Sequence, residues 1–175
     1  MTKSIKRMKR LFAWGTALLL VGGMQAALLP VDEPITPVDY VSTLVGTQSK
    51  HALSTGNTYP AVAMPWGMNF WTPQTGTMGD GWAYTYDADK IRGFKQTHQP
   101  SPWINDYGTF SIMPLLGDVV MDNKSRGVNF RHENEKAAPD CYQVKFDNGV
   151  TTAFSATSRA AVFEVTYPSE EGQYI

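Results

Sequence analysis

Cysteine is almost absent from this sequence: Cys141 stands alone, so no disulfide can form within the chain. A lone thiol reads as a small buried hydrophobe. There is no paired-cysteine spacing, and His51, His98 and His132 are scattered rather than set as HExxH. The zinc-finger and metalloprotease patterns are therefore excluded. So are the GxxxxGK phosphate cradle and the GxSxG nucleophile elbow, neither of which occurs. Charge of one sign is lacking too. The formal net charge is -1, which gives no field for gathering nucleic acid or anionic membrane. A sustained helical period is also missing; between Val38 and about Ser111 no apolar repeat lasts beyond a turn or two.

What is present begins with a leader. Lys3, Lys6, Arg7, Lys9 and Arg10 precede an apolar run from Leu11 to Val21, and small residues follow at Gly22, Gly23, Ala26 and Ala27. Basic, apolar, then small is the order of a secretory signal peptide, and the run is shorter than the roughly 20 residues of a membrane span. Residues 1–27 are read as that signal, which predicts export to a periplasm or the extracellular space with no span left afterwards. Residues 28–37, with Pro30, Pro34 and Pro37, read as an extended linker. Residues 38–175 are the domain. A hydrophobic share of 42% is enough for a packed core.

The second half predicts strands: Phe110 to Leu115, Gly117 to Met121, Val128 to His132, and Ala161 to Tyr167. The clearest is a hairpin. Tyr142, Val144 and Phe146 share a face, with Gln143 and Lys145 opposite. A two-residue Asn-Gly turn would put Val150 and Phe154 on the wrong face. A three-residue loop, Asp147-Asn148-Gly149, pairs Phe146 with Val150, Val144 with Thr152 and Tyr142 with Phe154, with Gly149 left-handed. Short strands, close turns and little helix predict an all-β protein, an antiparallel β-sandwich. Gly172 to Ile175 reads as the start of another strand, so the sandwich is expected to be incomplete at its C-terminal end, with an open edge.

The loop-rich half holds Trp66, Trp71, Trp82 and Trp103 among Tyr84, Tyr86, Tyr107, His98, Asp80, Asp106, Asn105 and Gln99. Indole faces stack on the apolar face of a pyranose, and amides and carboxylates hydrogen-bond its hydroxyls. Trp66 and Trp71 are expected to be core anchors. Trp82, His98, Trp103 and Asp106 are the candidate substrate-binding residues. Glycosidases need two carboxylates, ~5–5.5 Å apart when retaining and ~6.5–9.5 Å apart when inverting. Asp80, Asp87, Asp89 and Asp106 are available, but Asp87 and Asp89 beside Lys90 read as a solvated turn. No catalytic pair is assigned to this chain.

Several motifs together resemble glycoside hydrolase family 92 α-mannosidases: Val45-Gly46-Thr47, Gly56-Asn57-Thr58-Tyr59-Pro60-Ala61, Met64-Pro65-Trp66-Gly67-Met68, and Trp71-Thr72-Pro73. Gly81-Trp82-Ala83-Tyr84, Ile91-Arg92-Gly93-Phe94-Lys95-Gln96-Thr97-His98, Ser111-Ile112-Met113-Pro114 and Ser158-Arg159 extend the likeness over about Val38 to Ile175. The resemblance implies a β-sandwich followed by a larger helical catalytic barrel, a site between them, a calcium ion, and inversion at the anomeric carbon. It places the acid and base on the barrel and the calcium ligands outside this chain. It implies that Trp82, and next His98, contact mannose in mannose-containing glycans. After the Thr-His pair the sequence departs from the family pattern, running His98-Gln99-Pro100-Ser101-Pro102-Trp103. A carbohydrate-binding β-module without hydrolytic activity is the alternative reading.

Overall fold

The computed structural model describes residues 35–48, 58–76, 84–97 and 110–175. The unit Ile35–Ile175 opens on a 3-10 turn, Pro37–Tyr40, so Pro37 starts a turn where an extended linker was expected. Thr36 caps it: its backbone N–H and hydroxyl both donate to the Asp39 carboxylate, at 2.6 and 2.8 Å.

The remaining regular structure among the described residues is strand, joined by turns and irregular segments. The strands are β1 (Phe70–Gln74), β2 (Lys90–Ile91), β3 (Gly93–Thr97), β4 (Phe110–Ile112), β5 (Leu115–Leu116), β6 (Val128–Ala137), β7 (Cys141–Phe146), β8 (Thr151–Ala156), β9 (Ala161–Thr166) and β10 (Gln173–Tyr174). They form a five-stranded sheet in the order β2-β6-β7-β8-β9, a three-stranded sheet β1-β3-β4, and a short pair β10-β5, all antiparallel.

Alternation explains how the two larger sheets meet. Tyr142, Val144 and Phe146 are buried on β7 and Tyr142 lies opposite Phe154 on β8, while Gln143 and Lys145 face out. From the three-stranded sheet, Phe94 enters this surface. Its ring centroid lies 5.4 Å from Phe154, 6.1 Å from Phe163, 6.2 Å from Tyr142 and 6.3 Å from Phe146. Trp71 packs edge-on against Phe163 at 4.8 Å. Side chains of two sheets interdigitating around one aromatic core make a sandwich.

The hairpin has the expected register, with Tyr142 opposite Phe154 and Val144 opposite Thr152. Phe146 N–H donates to the Val150 carbonyl and Gly149 N–H to the Phe146 carbonyl, both at 2.9 Å. Gly149 has φ +89°, the left-handed conformation that closes a three-residue loop. β10 pairs with β5, so the segment near the C-terminus does enter a strand.

Three expectations need correction. Gly117 to Met121 is not a strand: Gly117 takes φ +93°, which breaks the extended run, and its N–H bonds to the Gly172 carbonyl at 2.8 Å. Phe110 to Leu115 is interrupted at Met113-Pro114, dividing it between β4 and β5, since proline cannot donate to a ladder. Cys141 is half-buried at the start of β7 rather than a core residue.

Candidate functional site

The three-stranded sheet has two unlike faces. Trp71, Pro73 and Phe94 lie toward the aromatic core. On the other face β1 contributes Thr72 and Gln74, and β3 contributes Lys95 and Thr97, with Thr72 registered on Lys95. All four are polar, and none is more than 1% accessible. Tyr59, also buried, shares a side-chain hydrogen bond with Thr97, and burial drives its phenol above the usual tyrosine range. Buried polar groups are costly unless they are partnered, and Tyr59, Gln74, Lys95 and Thr97 each have a partner.

The segments that hold the candidate sugar contacts are rooted in this sheet. β1 ends at Gln74 before residues 77–83. β3 ends at Thr97 before residues 98–109, and β4 begins at Phe110. Phe70 pairs with Thr97 and Gln74 with Gly93, so the two departures leave from opposite ends of the β1–β3 ladder. At ~3.3 Å per residue those ends are about 13 Å apart. Trp82, His98, Trp103 and Asp106 themselves lie outside the described residues. The structure fixes their roots and neither brings their side chains together nor separates them.

Trp66 overturns its expected role. It is 99% exposed, with φ +60°. Gly67 N–H donates to the Met64 carbonyl at 2.9 Å, closing a four-residue turn. Proline at the second position and positive φ at the third are the marks of a type II turn, whose third residue is normally glycine. A bulky residue there is an outlier that the surroundings must hold in place. They do: Met68 N–H donates to the Ser158 carbonyl at 2.9 Å, and a Cβ on Gly67 would touch the Met64 carbonyl and Ser158. The Pro-Trp-Gly order was the missed signal, because the third position of such a turn points outward. Trp71, by contrast, is buried as expected, and its indole N–H donates to Asn69 Oδ1 at 2.9 Å. Asn69 in turn donates to the Ala160 carbonyl at 2.9 Å. Replacing Trp66 with glycine should therefore raise stability by about 1 kcal/mol, since a left-handed non-glycine residue costs roughly 1–2 kcal/mol. Chemical denaturation of wild type and Trp66→Gly measures this, and a loss above about 2 kcal/mol would restore the core-anchor role.

Of the four carboxylates available in the loop-rich half, Asp80 and Asp106 lie outside the described residues. Asp87 and Asp89 are exposed, as expected of a turn, and Asp87 accepts from Gln48 Nε2 at 2.9 Å. Glu135 has a fully buried side chain, but it is saturated. Tyr84 donates to both its oxygens at 3.0 and 3.1 Å, and Tyr142 donates to Oε1 at 2.6 Å. Burial, and then the Glu135 charge, push both phenols far above the usual tyrosine range, so they stay protonated as donors.

Residues 40–175 match the model of the glycosyl hydrolase family 92 N-terminal domain. The chain belongs to this family. Among solved structures, the family 92 inverting mannosidase BT2199 from Bacteroides thetaiotaomicron VPI-5482 is 62% identical, with a TM-score of 0.73, over 80% of this chain and 19% of that one. The family 92 α-mannosidase BT3965 from Bacteroides thetaiotaomicron is 28% identical, with a TM-score of 0.65, over 75% of this chain and 18% of that one. A curated relative, an uncharacterized secreted glycosidase from Arthroderma benhamiae, is 21% identical over 77% of this chain and 18% of its own length. The chain thus spans about a fifth of the length of these relatives. No helix among the described residues is long and apolar enough to cross a membrane.

For the calcium ion that the family resemblance implies, the described residues do not make a site. No group of three or more His, Cys, Asp or Glu converges among them, and the Glu135 oxygens are occupied by phenols and an imidazole. Calcium takes six to eight oxygen ligands, several of them carboxylates.

Proposed function

We propose that this chain is the exported amino-terminal part of an inverting α-mannosidase acting on mannose-containing glycans. In this reading it supplies part of the sugar-binding wall, and the acid, the base and the calcium ligands belong to a helical catalytic domain beyond it. The observation that carries the proposal is the 62% identity to BT2199 over 80% of the chain. Two features of the fold agree with it. The buried polar face of β1 and β3 underlies the roots of both segments that hold Trp82, His98, Trp103 and Asp106. The buried Glu135 carboxylate is hydrogen-bonded by Tyr84, Tyr142 and His132. Hydrolysis with inversion needs a carboxylic acid on the leaving oxygen and a carboxylate activating water on the opposite face of the ring.

The test is an assay on aryl α-mannosides with calcium. The purified chain alone should give no turnover above a no-protein control. A chimera in which residues 35–175 replace the matched part of BT2199 should hydrolyse the substrate. Turnover by the isolated chain, or a folded and inactive chimera, would overturn the assignment. The same isolated chain binding mannose tightly in calorimetry would favour a self-sufficient carbohydrate-binding module instead.

A further inference from the structure

The Glu135 cluster contains one more group, His132. Its Nδ1 lies 2.6 Å from Glu135 Oε2, and its Nε2 lies 2.7 Å from the Tyr86 carbonyl oxygen. The Tyr86 ring stacks on the imidazole at 3.8 Å and 6°, and Phe130 meets it edge-on at 5.2 Å. Both ring nitrogens therefore face oxygen acceptors. A neutral imidazole has a single N–H. With an ionised Glu135, either neutral tautomer would set a nitrogen lone pair against an oxygen lone pair at hydrogen-bond distance. Two arrangements avoid this: imidazolium with carboxylate, or imidazole with carboxylic acid. They hold the same number of protons, one more than neutral imidazole with carboxylate.

We propose that His132 and Glu135 form a proton-operated clasp, which fastens the Tyr84–Tyr86 segment to β6 and β7 while it keeps that proton and loosens when the proton is lost. The clasp goes beyond the sugar-binding reading and does not depend on it. Its parts come from three places. His132 and Glu135 stand on β6, Tyr142 on β7, and Tyr84 and Tyr86 on the segment leading to β2. These are the titratable groups in hydrogen-bonding or stacking contact with the pair among the described residues; the nearby Asp87 carboxylate is engaged by Gln48. Tyr84 itself is completely buried in the aromatic core, so the clasp acts on the Tyr86 end of the segment, where two further bonds form. Tyr86 N–H donates to the Thr47 carbonyl at 3.2 Å, and Thr85 N–H donates to Thr75 Oγ1 at 2.9 Å. Deprotonation breaks either the His132–Tyr86 bond or the His132–Glu135 bond. A fold that binds a proton which the unfolded chain releases loses stability as pH rises.

Glu135→Gln separates this device from a merely structural polar cluster. The glutamine amide can donate to His132 Nδ1 while its carbonyl accepts from Tyr84 and Tyr142. The ring then keeps its N–H on Tyr86 with no extra proton. Thermal melts of the 175-residue chain and of Glu135→Gln should be compared over a matched series of pH values. As pH rises, the wild type should lose about 2–8 °C relative to Glu135→Gln, whose melt should not follow the same slope. Parallel slopes in the two proteins would overturn the clasp. If the variant does not fold, the wild-type imidazole nitrogen spectrum and the Glu135 carboxyl carbon shift decide. Two protonated ring nitrogens at neutral pH, or one beside a protonated carboxyl, supports it. One unprotonated nitrogen beside an ionised carboxylate overturns it.

Discussion

Phe94→Ala should destabilise the domain by about 3–5 kcal/mol, the range for deleting a buried phenylalanine ring. The ring is completely buried and touches four aromatic rings of the opposite sheet, so its removal leaves a cavity between the sheets rather than at one side of the core. The neighbouring rings are held by strand pairing on β7, β8 and β9, which limits how far they can collapse into the space. Thermal unfolding should show a drop of more than about 10 °C, or loss of a cooperative melt. Val162→Ala is the matching control. Val162 is exposed on the outer face of β9, so its truncation should stay within about 0.5 kcal/mol. Equal, small effects for the two variants would mean that the sheets are not joined through Phe94.

The parts of the fold that could be read from sequence are those where one local rule decides. The β7–β8 hairpin is the clearest case, because only the three-residue loop puts Tyr142, Val144, Phe146, Val150 and Phe154 on one face. The all-β class follows equally from short alternating runs. The Gly117 to Met121 run failed because its composition suits a strand while the glycine at its head turns the chain.

β6 was read only over Val128 to His132, its first half, for a different reason. Between Phe130 and Glu135 it spends five residues while β7, from Phe146 to Val144, spends two. That bulge reverses the inside–outside alternation, so Phe130 and Glu135 both turn inward despite odd spacing. No period-2 reading from sequence could bring His132 and Glu135 onto one cluster. The candidate sugar contacts were named from chemistry, aromatic residues set among amides and carboxylates, and from family motifs, and they lie outside the described residues. Their roots on β1 and β3 follow from strand pairing, which a single sequence does not display. Trp66 was misread because its apolar neighbours outweighed the turn geometry written in Pro65 and Gly67.

The sugar-wall proposal makes its strongest demand on Trp82. The residue follows Gly81, and glycine tolerates the backbone bends that presenting an indole would require. It stands two residues before Tyr84, which is anchored on Glu135. If the indole stacks on mannose in the transition state, truncating it removes roughly 1–3 kcal/mol, with base–aromatic stacking as the nearest analogue. At about 1.4 kcal/mol per tenfold, that is about a five- to 150-fold fall in kcat/KM. Stability should change little, because the ring is expected at a binding surface and not in the core. The direct measurement is kcat/KM on an aryl α-mannoside for the chimera with the rest of BT2199, with and without Trp82→Ala, alongside both melting temperatures. The account predicts that about five- to 150-fold loss at an essentially unchanged Tm, whereas a near-normal kcat/KM would contradict it and leave the loop-rich half as scaffold.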